Sequence, residues 1–113
     1  MNKLWIAALA LTLGAAAAPA KTTMSGELVD LGCYLGHGGA GAKHAQCAKM
    51  CVKNGQPLGL VTKGGLFLVV GGHEDEKPFN EAKEKAGENV KLTGKLIKKD
   101  GVQAILVEKV EKE

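Results

Sequence analysis

All three cysteines of the chain and two of its three histidines fall between Cys33 and Cys51, in CYLGHGGAGAKHAQCAKMC. The spacing is C-x3-H-x6-H-x2-C-x3-C, which puts five soft or borderline donors within nineteen residues. Thiolate and imidazole select zinc, copper or iron–sulfur centres over magnesium and calcium, which prefer oxygen. Three cysteines and one histidine form a complete zinc set. Two or three thiolates with a histidine and a nearby methionine suit copper(I) equally well. A bound ion would keep the thiols from oxidising and couple metal uptake to folding. The C-x-x-C-H motif of c-type haem attachment is absent, while non-covalent haem ligation through His37 or His44 stays open.

The elements around these residues must bring them together. Residues Lys43 to Asn54 predict a helix of about three turns, stopped by Gly55 and followed by Pro57. At about 100° per residue, His44, Cys47 and Cys51 leave that helix within an arc of about 60°, with Met50 at its margin. Cys33 is expected to end a strand, with His37 in the turn after it. Gly36, Gly38, Gly39 and Gly41 let the chain reverse and carry both over the helix face. The expected core is therefore Cys33, His44, Cys47 and Cys51, with His37 as a fifth ligand or gate. Asp30, three residues before Cys33, could orient a histidine, but the preferred reading is an exposed carboxylate at a strand end. The C-x3-C pair looks like the motif of copper chaperones that serve cytochrome oxidase. Those are thioredoxin folds, and the likeness is two residues deep.

The first twenty residues predict an address. Lys3 precedes an apolar run from Leu4 to Ala18, and Ala18-Pro19-Ala20 offers small residues for cleavage before Lys21. The run is shorter than the ~20 residues a membrane span needs, so no stable span is expected after cleavage. The expected destination is the periplasm or the exterior, where thiols oxidise unless something occupies them. Without residues 1–20 the net charge falls to 14 − 12 = +2, and there is no arginine anywhere. With only Tyr34, Phe67 and Phe79 as aromatics from Lys21 onward, a nucleic-acid partner is disfavoured.

Residues 21–113 suffice for one small domain. The expected fold class is mainly β with short helices (α+β): a five-stranded, OB-like, partly open barrel with the Cys/His segment, residues 32–55, inserted between the first and second strands. Strands are expected at Thr22–Leu31, Leu58–Thr62, Leu66–Val70, Asn89–Lys99 and Val102–Lys109, with tight turns at Lys63-Gly64-Gly65 and Asp100-Gly101. The run LFLVV predicts a strand buried on both faces. Pro78 opens a short helix with Phe79, Ala82 and Ala86 on one face, Glu81 and Lys85 as an ion pair, and Gly87 as its stop. Gly26 and Gly94 mark bends in long strands. A non-closed α+β meander is the alternative.

Two other uses of the cysteines compete with metal binding. In an exported protein the default is a disulfide; Cys33 joined to either later cysteine would staple the insertion to the barrel and leave one thiol over. The segment would then be the binding surface of an interaction module for another periplasmic protein. Thiol redox chemistry is the third use, although C-x3-C lacks the tuned C-x-x-C context. No Ser/His/Asp order, phosphate loop or carboxylate pair points to hydrolysis or group transfer. His73-Glu74-Asp75-Glu76 could catch a cation, but reads better as a solvated connection.

The run GELVDLGCYLGHGGAGAKHAQCAKMC, followed by NGQPLGLV and VKLTGKLIKKDGVQAILVEKV, resembles a group of small exported bacterial proteins of unknown function. They share a CYLGH…H..C…C signature joined to a small β domain. The resemblance spans roughly Met24 to Val110 and implies one integral domain; it assigns no role to any residue. Intact-mass measurement of the protein recovered from a periplasmic extract is expected to give a chain beginning at Lys21. A mass that retains Met1–Ala20 would refute the export signal.

Overall fold

The computed structural model describes Gly14 and residues 20–113, so the expected signal segment lies almost wholly outside the described residues. The described elements are strands β1 (Lys21–Asp30), β2 (Leu58–Thr62), β3 (Gly65–Val70), β4 (Asn89–Lys99) and β5 (Val102–Lys112). Helices α1 (Leu31–His37) and α2 (Ala45–Lys53) lie between β1 and β2, and α3 (Lys77–Glu84) between β3 and β4. A 3-10 turn at Ala42–His44 leads into α2. The protein is a small mixed α+β domain with a closed five-stranded sheet, in the order β1-β2-β3-β5-β4. Among the described residues, no helix is long and apolar enough to cross a membrane.

Closure depends on β1 being long enough to serve two neighbours. Its first half pairs antiparallel with β4, from Lys21↔Lys95 to Glu27↔Asn89, and its second half with β2, from Glu27↔Val61 to Asp30↔Leu58. The handover falls beside Gly26, where a Cβ would strike the Val61 carbonyl. The opposite seam is the parallel pair β3–β5, with Leu68↔Ala104, Val69↔Ile105 and Val70↔Leu106 in register. The β4–β5 ladder shifts register between Thr93 and Gly94, as a bulge that bends a strand requires. Asp100 and Gly101 turn this hairpin with φ of 51° and 81°, the positive values a type I′ turn needs at both centres.

Inside the sheet lie Leu28, Leu58, Leu60, Val69, Val90, Leu92, Ile105 and Val107, and the helices close the core with Ala48 and Val52 from α2 and Ala82 and Ala86 on the α3 side. Fully burying side chains of the size of leucine or valine is worth about 1.5–3 kcal/mol each, so α2 is held by the same apolar contacts that hold the strands.

Three expectations need correction. Strand β1 ends at Asp30, not Leu31, and Cys33 lies on α1 rather than at a strand end. Strand β3 is buried on one face: Phe67 and Val69 point inward, whereas Leu66 and Leu68 line an open surface groove with Leu31, Leu35 and Val102. A continuous apolar run could not reveal that its outer face lacks a full cover. Glu81 and Lys85 make no ion pair; α3 ends at Glu84, with Lys85 as its C-cap.

A Cβ at Gly94 would collide with the Leu106 carbonyl oxygen, whereas one at Gly36 meets nothing within 4 Å. Gly94→Ala is expected to cost about 1–3 kcal/mol, and Gly36→Ala to stay within about 0.5 kcal/mol of the parent. Urea unfolding midpoints of the two variants check the contrast.

Candidate metal centre

The site is built where β1 runs into α1. Asp30 is the last residue of β1, with extended dihedrals (φ −73°, ψ 114°), and its Oδ1 accepts from the Gly32 N–H at 2.9 Å. This is the geometry of an N-cap, which satisfies an otherwise orphaned donor of the first turn. The cap starts α1 two residues before Cys33. Gly38, with φ 72°, stops the helix, and the Gly39 N–H returns to the Cys33 carbonyl at 3.1 Å. Further on, the Gly41 N–H donates to Glu27 Oε1 at 2.7 Å, which ties the loop to β1.

Gly39 is needed for close approach rather than for an unusual dihedral. A Cβ there would lie 2.9 Å from His44 Nε2 and 3.0 Å from the Cys33 Cβ. Only a bare backbone can pass between these two side chains without spreading them.

Helix α2 is oriented by its core face. Ala48 and Val52 are buried, and Cys47 and Cys51 each precede one of them, so the two sulfurs share a stripe about 100° around the helix. Cys47 Sγ and Cys51 Sγ stand 3.9 Å apart. With Cys33 Sγ from α1 they form a group whose atoms all lie within 4.8 Å of one another. Zinc–thiolate bonds of about 2.3 Å in a tetrahedron set sulfurs roughly 3.8 Å apart. The cysteine pair on α2 already meets that spacing, and Cys33 needs only a small approach. Cys33 and Cys51 are half-buried, while Cys47 is exposed.

A second group shares Cys33. Asp30, Cys33 and His44 also bring one donor atom each within 4.8 Å of the others. Asp30 is not the exposed carboxylate expected from the sequence; it is 1% exposed. Its Oδ2 and His44 Nε2 are both buried without a hydrogen-bond partner.

The charges interact strongly. Burial alone would push the Asp30 carboxyl up, but the Cys33 and Cys51 thiols, with the Gly32 and Cys33 N–H groups, outweigh it and hold its pKa below the ordinary value. The reciprocal effect is that the Asp30 carboxylate, followed by burial, pushes the Cys33 thiol up. The same two causes, followed by Cys47, push Cys51 up to about 12. The signs follow by linkage. Ionised Asp30 contributes stability at neutral pH that is lost as pH falls through its lowered pKa. The raised thiols favour the fold below the ordinary thiol range, and this is lost as pH rises towards 12.

Of the residues expected at the site, Cys33, Cys47 and Cys51 come together, and His44 joins Cys33 and Asp30 instead of all three sulfurs. His44 precedes α2 in the 3-10 turn, so its direction departs from a regular helical face. His37 is exposed and in neither group; its ring lies edge-on to that of His44, centroids 6.3 Å apart. Met50 is 67% exposed and takes no part. Residues His73 to Glu76 are exposed, as a solvated connection should be. Asp30 and Gly39 are the residues whose importance the pattern understated. The pairing of a capping Asp30 with a stopping Gly38 is the sequence signal that marks α1.

Comparison with family models, with curated proteins and with solved structures finds no match.

Alkylation of Cys51 in the reduced protein is expected to be slow at neutral pH and to rise only well above the ordinary thiol range. In Asp30→Asn the negative neighbour is gone, so the profile should move to lower pH. An unchanged profile for Cys51, read by peptide mass mapping, would mean that the carboxylate does not control the thiol.

Proposed function

We propose that this is a periplasmic metal-binding protein that takes copper(I) or zinc on the sulfurs of Cys33, Cys47 and Cys51. The observation that carries the proposal is the convergence of three thiols from two helices to within 4.8 Å. Three thiolates suit copper(I) as they stand, and zinc with one added nitrogen, oxygen or water. His44, which shares a donor group with Cys33, is a nitrogen donor beside this set. Cys47 is exposed, so an ion on its sulfur is within reach of a partner's ligands. An ion held here can be handed on, which favours a role in metal handling or sensing, or as accessory to a respiratory complex. The closed sheet serves as the mount. Its parallel β3–β5 seam, the helix between β3 and β4, and the insertion after β1 support an OB-like reading of the architecture.

The disulfide-stapled module is less well supported by the same geometry. Pairing any two of the sulfurs leaves the third beside the new bond, where a thiolate can attack and exchange it. A stable staple wants the opposite arrangement.

Binding must displace protons, because Cys33 and Cys51 hold theirs more tightly than ordinary thiols. The reduced protein is expected to bind zinc or copper(I) stoichiometrically with release of at least two protons, and affinity should fall by about tenfold, for each proton displaced, with every unit by which the pH is lowered. Cys51→Ser is expected to weaken binding by on the order of 100-fold or more. Calorimetry in buffers of different ionisation enthalpy, with competition against a chromophoric chelator, reads both. Recovery of metal-free protein two hydrogens light, unable to take metal after reduction, would sink the proposal.

A further inference from the structure

We propose that the centre holds two metal ions bridged by the Cys33 thiolate: one on Cys33, Cys47 and Cys51, the other on Asp30, Cys33 and His44. This rests on the metal-binding reading above and extends it from one ion to two. The two donor groups share Cys33 and no other residue. Each triad is compact by itself, with its donor atoms all within 4.8 Å of one another.

The second triad carries its own sign of a missing ligand. Asp30 Oδ2 and His44 Nε2 are the two buried side-chain polar atoms without a hydrogen-bond partner among the described residues, and both residues belong to this triad. The Gly32 N–H and the neighbouring Cys33 and Cys51 thiols favour the ionised carboxylate although it is 1% exposed, so an ion would meet a group that already carries its charge. Asp30 uses only Oδ1 for the cap, which leaves Oδ2 free to ligate.

Charge points the same way. Once metal has displaced the thiol protons, three thiolates and one carboxylate carry four negative charges, which two divalent ions balance. Lys49, on α2, is engaged by Glu88 at 3.2 Å. The second triad offers oxygen, nitrogen and sulfur, a mixed set suited to a borderline divalent ion such as zinc, with a fourth position left for water. Gly39 lacks the Cβ that would press on both His44 Nε2 and the Cys33 Cβ, so these two members of the second triad can stay close.

The test is a titration of the purified, reduced protein with cobalt(II) and with zinc, followed by absorption and by native mass spectrometry. Two equivalents are expected for the parent. Asp30→Ser keeps a side-chain oxygen to cap α1 but removes Oδ2; it should bind one equivalent and retain thiolate-to-cobalt charge transfer. His44→Ala, which leaves the cap untouched, should likewise lose one equivalent, and circular dichroism shows whether each variant is folded. One equivalent in the parent overturns the bridged pair while leaving the single-ion reading intact. Two equivalents that persist in folded Asp30→Ser and His44→Ala place the second ion elsewhere and also overturn it. No bound metal in the parent overturns both this inference and the proposed function.

Discussion

The buried carboxylate of Asp30 is the constraint on which the site depends. It ends β1, begins α1 by accepting the Gly32 N–H, and stands against the thiols of Cys33 and Cys51. Because Asp30 is paired with Leu58 in the β1–β2 ladder, the position of this negative charge is set by the sheet. The helix that carries Cys33 is then hung from it. One residue thus links the closed strands to the sulfur chemistry, and it does so through a group whose burial is costly unless something positive sits nearby.

Around that point the structure divides its labour by rigidity. The strands and the core-facing side of α2 rest on continuous apolar contact through Leu28, Leu58, Val52 and Ala48. The segment from Gly38 to Gly41 has no buried apolar side chain and is held by hydrogen bonds to Cys33 and Glu27. Two sulfurs are therefore fixed by core packing, and the third by a cap and a glycine loop. The loop side is thus the part of the site least tied to the sheet.

The elements of the fold were largely legible in the residues. Turn chemistry at Asp100-Gly101, Pro78 at the head of α3, and the glycines at bends gave strands and helix ends within a few residues. The failures have specific causes. The strand LFLVV was read as buried on both faces because apolar side chains attract the same reading whether or not a neighbour covers them; here Leu66 and Leu68 have only a groove. Asp30 reads as exposed in the sequence because a carboxylate is rarely buried, and the two thiols beside it come from positions three and twenty-one residues later. His44 was placed on a regular helix, but the chain enters α2 through a 3-10 turn, whose different rotation per residue redirects the imidazole.

The residue types and spacing alone determined that thiols and imidazoles would concentrate in one inserted segment, and that two cysteines four residues apart would share one helix face. These are local properties, since helical periodicity and glycine stops act over a few residues. Which donors meet was decided by the packed chain. Cys33 reaches the α2 sulfurs because Asp30 caps α1 and Gly39 leaves no side chain in the way; His37 is left outside and Asp30 is drawn in. That outcome depends on the sheet register at Asp30↔Leu58 and on the burial of Ala48 and Val52. Contacts between residues distant in sequence arise from packing, and no local pattern encodes them.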